Sequence, residues 1–432
     1  MKIDAKQTYS LMDNNKKVDV HQKREKMAEA IDTDKDYFIQ DTEIKDYLLK
    51  QGITMGAEAI IENLPEIVQD FKHDLQCKRL PQMKDYHSYE QVIEGLKELE
   101  AKYPSLAQTF SLGKTVEGRE LMALKISGNV KGDTSDKPGV LFVGCVHSYE
   151  WPAMEAPFRM AGTILENYDK DEETKKRIDN AEIWIMPLAN PDGYEYSRNE
   201  YSFWRKNRNP ITESDVPQAI AEGIKPDENG VLSYGVDLNR NHYDGNPEHM
   251  WLYRLDGDKP DSITDDFGVT SDDPRKDSYR GPSGASENET KAVRDIWLNR
   301  PNIKAIVDHH TYGKDILYPW GIKHEAVENL ETYKEISQKM CDSIKDDTYK
   351  PFQAIGYLPA TGTSEDEAQI NGRLGLVFEV GASYHPPEEE LNKICADTCN
   401  ANMTLVDWLI EHKEQVMKKE EKNYNLPGQL NI

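Results

Sequence analysis

At 432 residues the chain can bury a large core and has room for more than one domain. Acidic residues outnumber Lys and Arg by 78 to 53, a formal charge of -25, which argues against nucleic acid or an anionic membrane surface as the main partner. No uncharged apolar run is long enough to span a bilayer, and 5 cysteines make no dense disulfide framework.

The opening Met1-Lys2-Ile3-Asp4 lacks the apolar stretch of a signal peptide. A cytoplasmic protein is expected, or a secreted or periplasmic one whose signal has been removed. Residues 1–80 are polar, charged and helical in pattern, an accessory or propeptide-like region. Within them Asp32, Asp34, Asp36, Ile39 and Glu43 stand at the spacing of an EF-hand calcium loop. Tyr37 occupies the position where such a loop needs glycine for its sharp turn. The site is therefore a degenerate Ca2+ candidate with Asp32, Asp34, Asp36 and Glu43 as ligands, against an acidic, solvated helix-turn-helix.

Residues 81–417 read as the main domain. Val92, Leu96 and Leu99 recur at helical spacing over Ser88–Tyr103. Met122–Ser127, Val140–Val146 and Ala181–Leu188 read as strands, with a helix at Trp151–Asn167. Asn207–Tyr234 and the acidic Asp256–Asp277 stretch read as loops. A helix is expected at Asn288–Leu298, strands at Ile303–Val307 and Gly375–Val380, and a long helix from Pro387 to Lys413. Cys395 and Cys399, one helical turn apart with no histidine beside them, read as core thiols. Residues 418–432 are a polar tail. Strands alternating with helices imply an α/β layered fold, and near-continuous apolar strands imply a mixed sheet buried on both faces.

His147 and Glu150 follow the strand ending at Val146 and face one side if they form a turn. His309 and His310 follow the strand Ile303–Val307, and strand alternation lets only one of them face a shared centre. A His, Glu, His set leaves the fourth corner of a tetrahedral Zn2+ open for water, which is the arrangement of hydrolytic zinc sites. Glu379 sits in the apolar run Leu376-Val377-Phe378-Glu379-Val380, where a carboxylate is expensive unless paired or placed in a cleft. In a cleft its pKa rises, which suits a general base.

From residue 86 to about 412 the chain resembles the zinc metallocarboxypeptidases of the carboxypeptidase A family, M14. The resemblance rests on motifs in a shared order. They are Gly113-Lys114-Thr115-Val116-Glu117-Gly118-Arg119, His147-Ser148-Tyr149-Glu150-Trp151, Asn190-Pro191-Asp192-Gly193-Tyr194 and Trp204-Arg205-Lys206. Gly235-Val236-Asp237-Leu238-Asn239-Arg240-Asn241, His310-Thr311-Tyr312 and Phe378-Glu379-Val380 complete the set. It implies a carboxypeptidase A-like fold and a zinc held by His147, Glu150 and His310, selecting His310 over His309. It implies Glu379 as general base, Arg205 as the support for the oxyanion, and Asn239 and Arg240 as the grip on a free C-terminal carboxylate. Tyr357 takes the place of the family's mobile tyrosine, and Ser364 that of the residue at the pocket floor.

The chain departs from the pattern in two places. Ser364 is neither the apolar residue associated with aromatic substrates nor the aspartate associated with Lys and Arg. Glu365 and Asp366 beside it attract a cation if they turn inward and are solvated acids if they turn outward. The insertion at 207–234 replaces the cysteine pair of pancreatic relatives. The implied partner is a peptide with a free C terminus. The alternatives are a peptidase acting on bacterial cell-wall (murein) peptides and a catalytically silent peptide-binding module.

Overall fold

A computed structural model describes residues 86–243, 245–253, 270–357 and 359–418. The EF-hand-like residues Asp32, Asp34, Asp36 and Glu43, most of the Asp256–Asp277 stretch, and the tail beyond Lys418 lie outside the described residues.

Helix α1 spans Tyr89–Lys102 and begins at a capping box. Ser88 Oγ accepts from the Gln91 amide, and Gln91 Oε1 accepts from the Ser88 amide at 2.7 Å. Its buried face carries Val92 and Leu96. Then come β1 (Ala107–Lys114), β2 (Glu120–Ile126), β3 (Gly139–Gly144), α2 (Trp151–Asn167), α3 (Glu172–Asn180), β4 (Glu182–Met186) and α4 (Pro191–Asn199). Short strands β5 (Pro210–Ile211) and β6 (Ser233–Tyr234) pair as a separate ribbon. The second half continues with α5 (Asn288–Leu298), β7 (Ile303–His310), β8 (Asp315–Tyr318), α6 (Leu330–Asp342) and β9 (Lys350–Gln353). It closes with α7 (Ser364–Ile370), β10 (Leu374–Glu379) and α8 (Glu388–Glu411).

Eight strands make one mixed sheet in the order β1-β2-β4-β3-β7-β10-β8-β9. The four central strands, β4, β3, β7 and β10, run parallel, so their C-terminal ends share one edge. All six residues of β3 and all six of β10 are buried, as expected for strands covered on both faces. On one face Leu141, Val143, Trp184, Met186 and Ile306 pack against Val293, Ile296 and Trp297 of α5. On the other, β7 meets α2 and α8, where His309 reaches Asn402 and Asn402 reaches Met160.

Several expectations need correction. The strand ending at Val307 runs on to His310, so the histidine pair closes the strand instead of following it. Asn207–Tyr234 is more than a loop: it holds the β5/β6 ribbon, a single turn at Glu213–Asp215 and a short helix at Gln218–Ala221. Ile211, Val216, Ala221 and Leu232 bury themselves there against Val236 and Tyr279. Those apolar residues are too irregularly spaced to declare either period. Strands β1, β8 and β9 and helices α3, α6 and α7 were also not expected, because they are short or polar on one side. Among the described residues no helix is long and apolar enough to cross a membrane.

Candidate metal centre

The parallel register decides which side chains meet. His309 pairs with Gly144 on one side, and Glu379 pairs with His310 on the other. In a strand, residues two apart share a face. Asp308 and His310 therefore point to one side of β7 and His309 to the other.

His309 belongs to the core. Its Nδ1 lies 2.7 Å from the Val143 carbonyl, and its Nε2 lies 2.9 Å from the Asn402 amide nitrogen. Burial pushes its pKa down to about 4, so the ring is neutral, donating to Val143 and accepting from Asn402.

His310 faces the other way. Its Nδ1 stands 3.0 Å from Glu150 Oε2 and 3.0 Å from His147 Nδ1. His147 Nδ1 in turn is 2.9 Å from Glu150 Oε1. One donor atom from each of the three residues lies within 4.8 Å of the others, and all three residues are buried. Glu150 is the residue just before α2, so the turn leaving β3 brings it back beneath His147. Burial alone would raise its carboxyl, but positive charge in this pocket, carried by the two imidazoles when no metal is bound, holds it at about 2.

Each imidazole has a carboxylate on its far nitrogen. His147 Nε2 is 3.1 Å from Asp237 Oδ1, and His310 Nε2 is 3.3 Å from Asp308 Oδ2. An Nε2–H donating to a carboxylate leaves Nδ1 as a lone pair. Two such lone pairs and a carboxylate then face one another across about the length of a single hydrogen bond, which is repulsive unless a cation stands between them. The donor set, two neutral imidazole nitrogens and one carboxylate oxygen, is that of a zinc site with an open position. The residues present fit Zn2+.

Around this centre the other expected residues gather. Arg205 donates to Asp237 Oδ2 through Nε at 3.0 Å and to the Tyr149 hydroxyl through Nη1 at 3.1 Å. Its backbone is pinned as well, since the Arg205 carbonyl accepts from the Ser148 amide at 3.0 Å. Neighbouring Lys206 is structural: its ammonium donates to the Pro274 carbonyl at 2.7 Å. Glu379 is raised to about 8, chiefly by burial and partly by Glu150, against the lowering charges of His310 and Arg205. Gly313 has no room for a side chain, because a Cβ there would stand 3.0 Å from Glu379 Cβ and 3.2 Å from the Tyr357 hydroxyl. Tyr357 is 39% exposed, and its hydroxyl donates to the Tyr312 carbonyl at 3.1 Å.

Asn239 and Arg240 lie on a single helical turn, Leu238–Arg240, with Asp237 capping the Asn239 amide at 3.0 Å. Asn239 Oδ1 accepts from the Ser364 amide at 3.0 Å, tying the turn to the start of α7. Ser364 spends its hydroxyl on Asp308 Oδ2, at 2.8 Å. Glu365 and Asp366 are both buried, so the outward alternative is excluded. Asp366 is already engaged, accepting from the Gly321 and Ile322 amides at 3.0 to 3.3 Å. Burial raises the Glu365 carboxyl, and the Asp308 charge adds to that rise.

The remaining motifs hold this edge of the sheet together. Asp192 accepts from Thr115 Oγ1 and Arg119 Nη1, each at 2.7 Å. Asn190 donates to the Val146 carbonyl at 3.0 Å, directly before His147. Gly235, at φ +85°, lies so close to the Asn207 carbonyl that a Cβ would be 2.3 Å away.

A family model described as zinc carboxypeptidase matches residues 85–401. The chain belongs to the zinc carboxypeptidase family. The chain is 29% identical over 267 residues to metallocarboxypeptidase A of Trichophyton rubrum, covering 61% of this chain and 54% of the relative. It is 24% identical over 391 residues to carboxypeptidase A2 of Mus musculus, covering 87% and 82% of the two chains. It therefore spans about half the length of the fungal relative. Its fold is similar to the crystal structure of carboxypeptidase A from Helicoverpa armigera, with a TM-score of 0.61 at 21% identity, covering 82% of each chain. It is also similar to thrombin-activatable fibrinolysis inhibitor, with a TM-score of 0.64 at 18% identity, covering 82% and 86%.

Three neighbours of the centre were not singled out from the sequence. Asp237 and Tyr149 lay inside quoted motifs without a role. Asp308 had a readable signal: a carboxylate two positions before a candidate ligand, on an apolar strand.

Proposed function

We propose that this protein is a zinc-dependent carboxypeptidase that removes the last residue of peptides whose terminal carboxylate is free. The observation that carries this reading is the convergence of His147, Glu150 and His310 on one small volume beside Glu379. Zinc held there supplies a Lewis acid that polarises a carbonyl and acidifies water.

The chain's own residues do the rest. Arg240 and Asn239 take the substrate's terminal carboxylate, for which a planar guanidinium fork gives paired, charge-assisted hydrogen bonds. That grip fixes the scissile carbonyl with respect to the centre. Glu379, in its ionised form, removes a proton from the attacking water and returns it to the departing amine. Arg205, held by Asp237 and Tyr149, faces the negative charge that gathers on the former carbonyl oxygen. Tyr357 covers the bound terminus. In this reading residues 81–417 are the catalytic domain and 1–80 an accessory region.

The test is a pair of N-blocked peptides identical except at the C terminus, one free and one amidated. The free peptide is expected to be hydrolysed at its last bond and the amidated one spared, with activity lost on chelation and restored by zinc. Equal hydrolysis of both would overturn the exopeptidase assignment.

A further inference from the structure

The turn that carries Asn239 and Arg240 is only Leu238–Arg240, and a turn that short does not hold its own shape. The residues that follow it do the holding. Asn241 Nδ2 donates to the Arg280 carbonyl at 2.7 Å and to the Ser283 carbonyl at 2.9 Å, and the Asn241 carbonyl accepts from the Ala285 amide at 2.6 Å. His242 ties the chain to α7 and the residues before it. Its amide donates to the Gly362 carbonyl at 2.9 Å, and its Nδ1 lies 2.9 Å from Glu367 Oε2. Gly362, at φ +69°, passes so close to Arg240 that a Cβ would stand 2.3 Å from the Arg240 carbonyl oxygen. Glu367 is itself fixed from a third element, since Arg294 Nε on α5 donates to its Oε1 at 2.8 Å.

His242 is 2% exposed and Glu367 is fully buried. Burial works to raise the Glu367 carboxyl, but the Arg294 charge and the His242 hydrogen bond hold it below its usual value. A buried ion pair stabilises a fold no better than apolar side chains of the same volume. What this carboxylate supplies is direction, because its two oxygens hold an imidazole on one side and a guanidinium on the other.

We infer that His242 and Glu367 are positioning residues for the grip on the terminal carboxylate: Arg294 fixes Glu367, and Glu367 fixes the ring that follows Asn239 and Arg240. This rests on the carboxypeptidase reading, which gives Asn239 and Arg240 that grip. The pair acts through them and does not meet the substrate. A guanidinium must be aimed to within about 0.5 Å to make both hydrogen bonds to a carboxylate, and a drift of about 1 Å in a positioning group costs up to about 100-fold.

The test replaces the ring. His242→Phe keeps its bulk and deletes the Nδ1 donor, while Arg294 still neutralises Glu367. His242→Asn places an amide nitrogen near the position of Nδ1 and keeps a donor there. In the zinc-loaded full chain, KM for an N-blocked dipeptide with a free C terminus should rise about ten-fold in His242→Phe, more than kcat falls, and return most of the way in His242→Asn. Calorimetric binding of the same dipeptide in a Glu379→Gln background should weaken by a similar factor when His242→Phe is added. An unchanged KM in folded His242→Phe overturns the positioning role, as does a loss confined to kcat or an Asn variant no better than the Phe variant. If His242→Phe does not fold, Arg294→Met carries the test, because it leaves the ring in place and loosens only its acceptor. A raised KM there supports the role and an unchanged KM overturns it. The carboxypeptidase reading fails separately, if the unsubstituted chain does not hydrolyse the dipeptide while the calorimetric loss in His242→Phe stands.

Discussion

Asp308 Oδ2 lies 3.3 Å from His310 Nε2, two residues along the same strand, so one carboxylate fixes which nitrogen of the third ligand faces the metal. Asp237 does the same for His147 from a different segment of chain, at 3.1 Å. Replacing either carboxylate by Asn removes the strongest acceptor for Nε2–H and frees the ring to turn. Asp237→Asn and Asp308→Asn should each weaken zinc binding by about 10- to 100-fold. Competition against a calibrated chelator measures this, and unchanged zinc affinity in both variants would remove the orienting role.

Glu379 must be ionised to accept a proton, and in the metal-free protein burial raises it to about 8. A divalent cation nearby favours the charged carboxylate, so zinc moves this value down. The rate should climb with pH on an acid limb below about 8 as Glu379 loses its proton. Glu379→Gln should lower kcat by roughly 100- to 10,000-fold, with zinc content retained. Full turnover in that variant would dismiss Glu379 as the base.

Arg205 is aimed by two partners, Asp237 and Tyr149. Arg205→Ala should reduce kcat by about 100- to 1,000-fold, the usual effect of losing one donor to a developing oxyanion. Tyr149→Phe keeps the ring and deletes only the hydroxyl that receives Nη1. It should lower kcat by roughly ten-fold with little change in KM, since the charge it helps to position exists only in the transition state. A rise in KM with kcat intact would show that Tyr149 acts in substrate binding instead.

Away from the centre, Glu289 on α5 is raised to about 8 by burial and by the charge of Glu287, and its Oε1 has no hydrogen-bond partner. In the unfolded chain the same carboxyl titrates near about 4.3. The folded protein therefore keeps a proton that the unfolded chain has released. This contribution to stability is whole below about pH 4 and is lost as pH rises through 8, at roughly 1.4 kcal/mol per pH unit. Thermal midpoints across that window should fall less steeply with pH for Glu289→Gln than for the unsubstituted protein. Parallel curves would mean that Glu289 is ionised in the fold.

Much of this was legible in the chain. Trp151–Asn167 and Asn288–Leu298 form as expected because their apolar residues recur at helical spacing over several turns. The central strands were readable because burial on both faces makes them continuously apolar. The ligand types were visible in His147, Glu150 and His310, and Glu379 stood out as a charge in an apolar run.

What one-dimensional order left open was direction. His309 and His310 differ by one residue, and the parallel pairing of β7 with β3 and β10 sends the first toward Asn402 and the second toward Glu150. The same pairing decides that Asp308 joins the centre, and the packing of α7 buries Glu365 while backbone amides engage Asp366. Residue type and spacing determined the chemistry available to this protein, because donor atoms are properties of side chains. Only the folded sheet decided which of those atoms meet, because a strand turns each successive side chain to the opposite face and long-range register selects its neighbours.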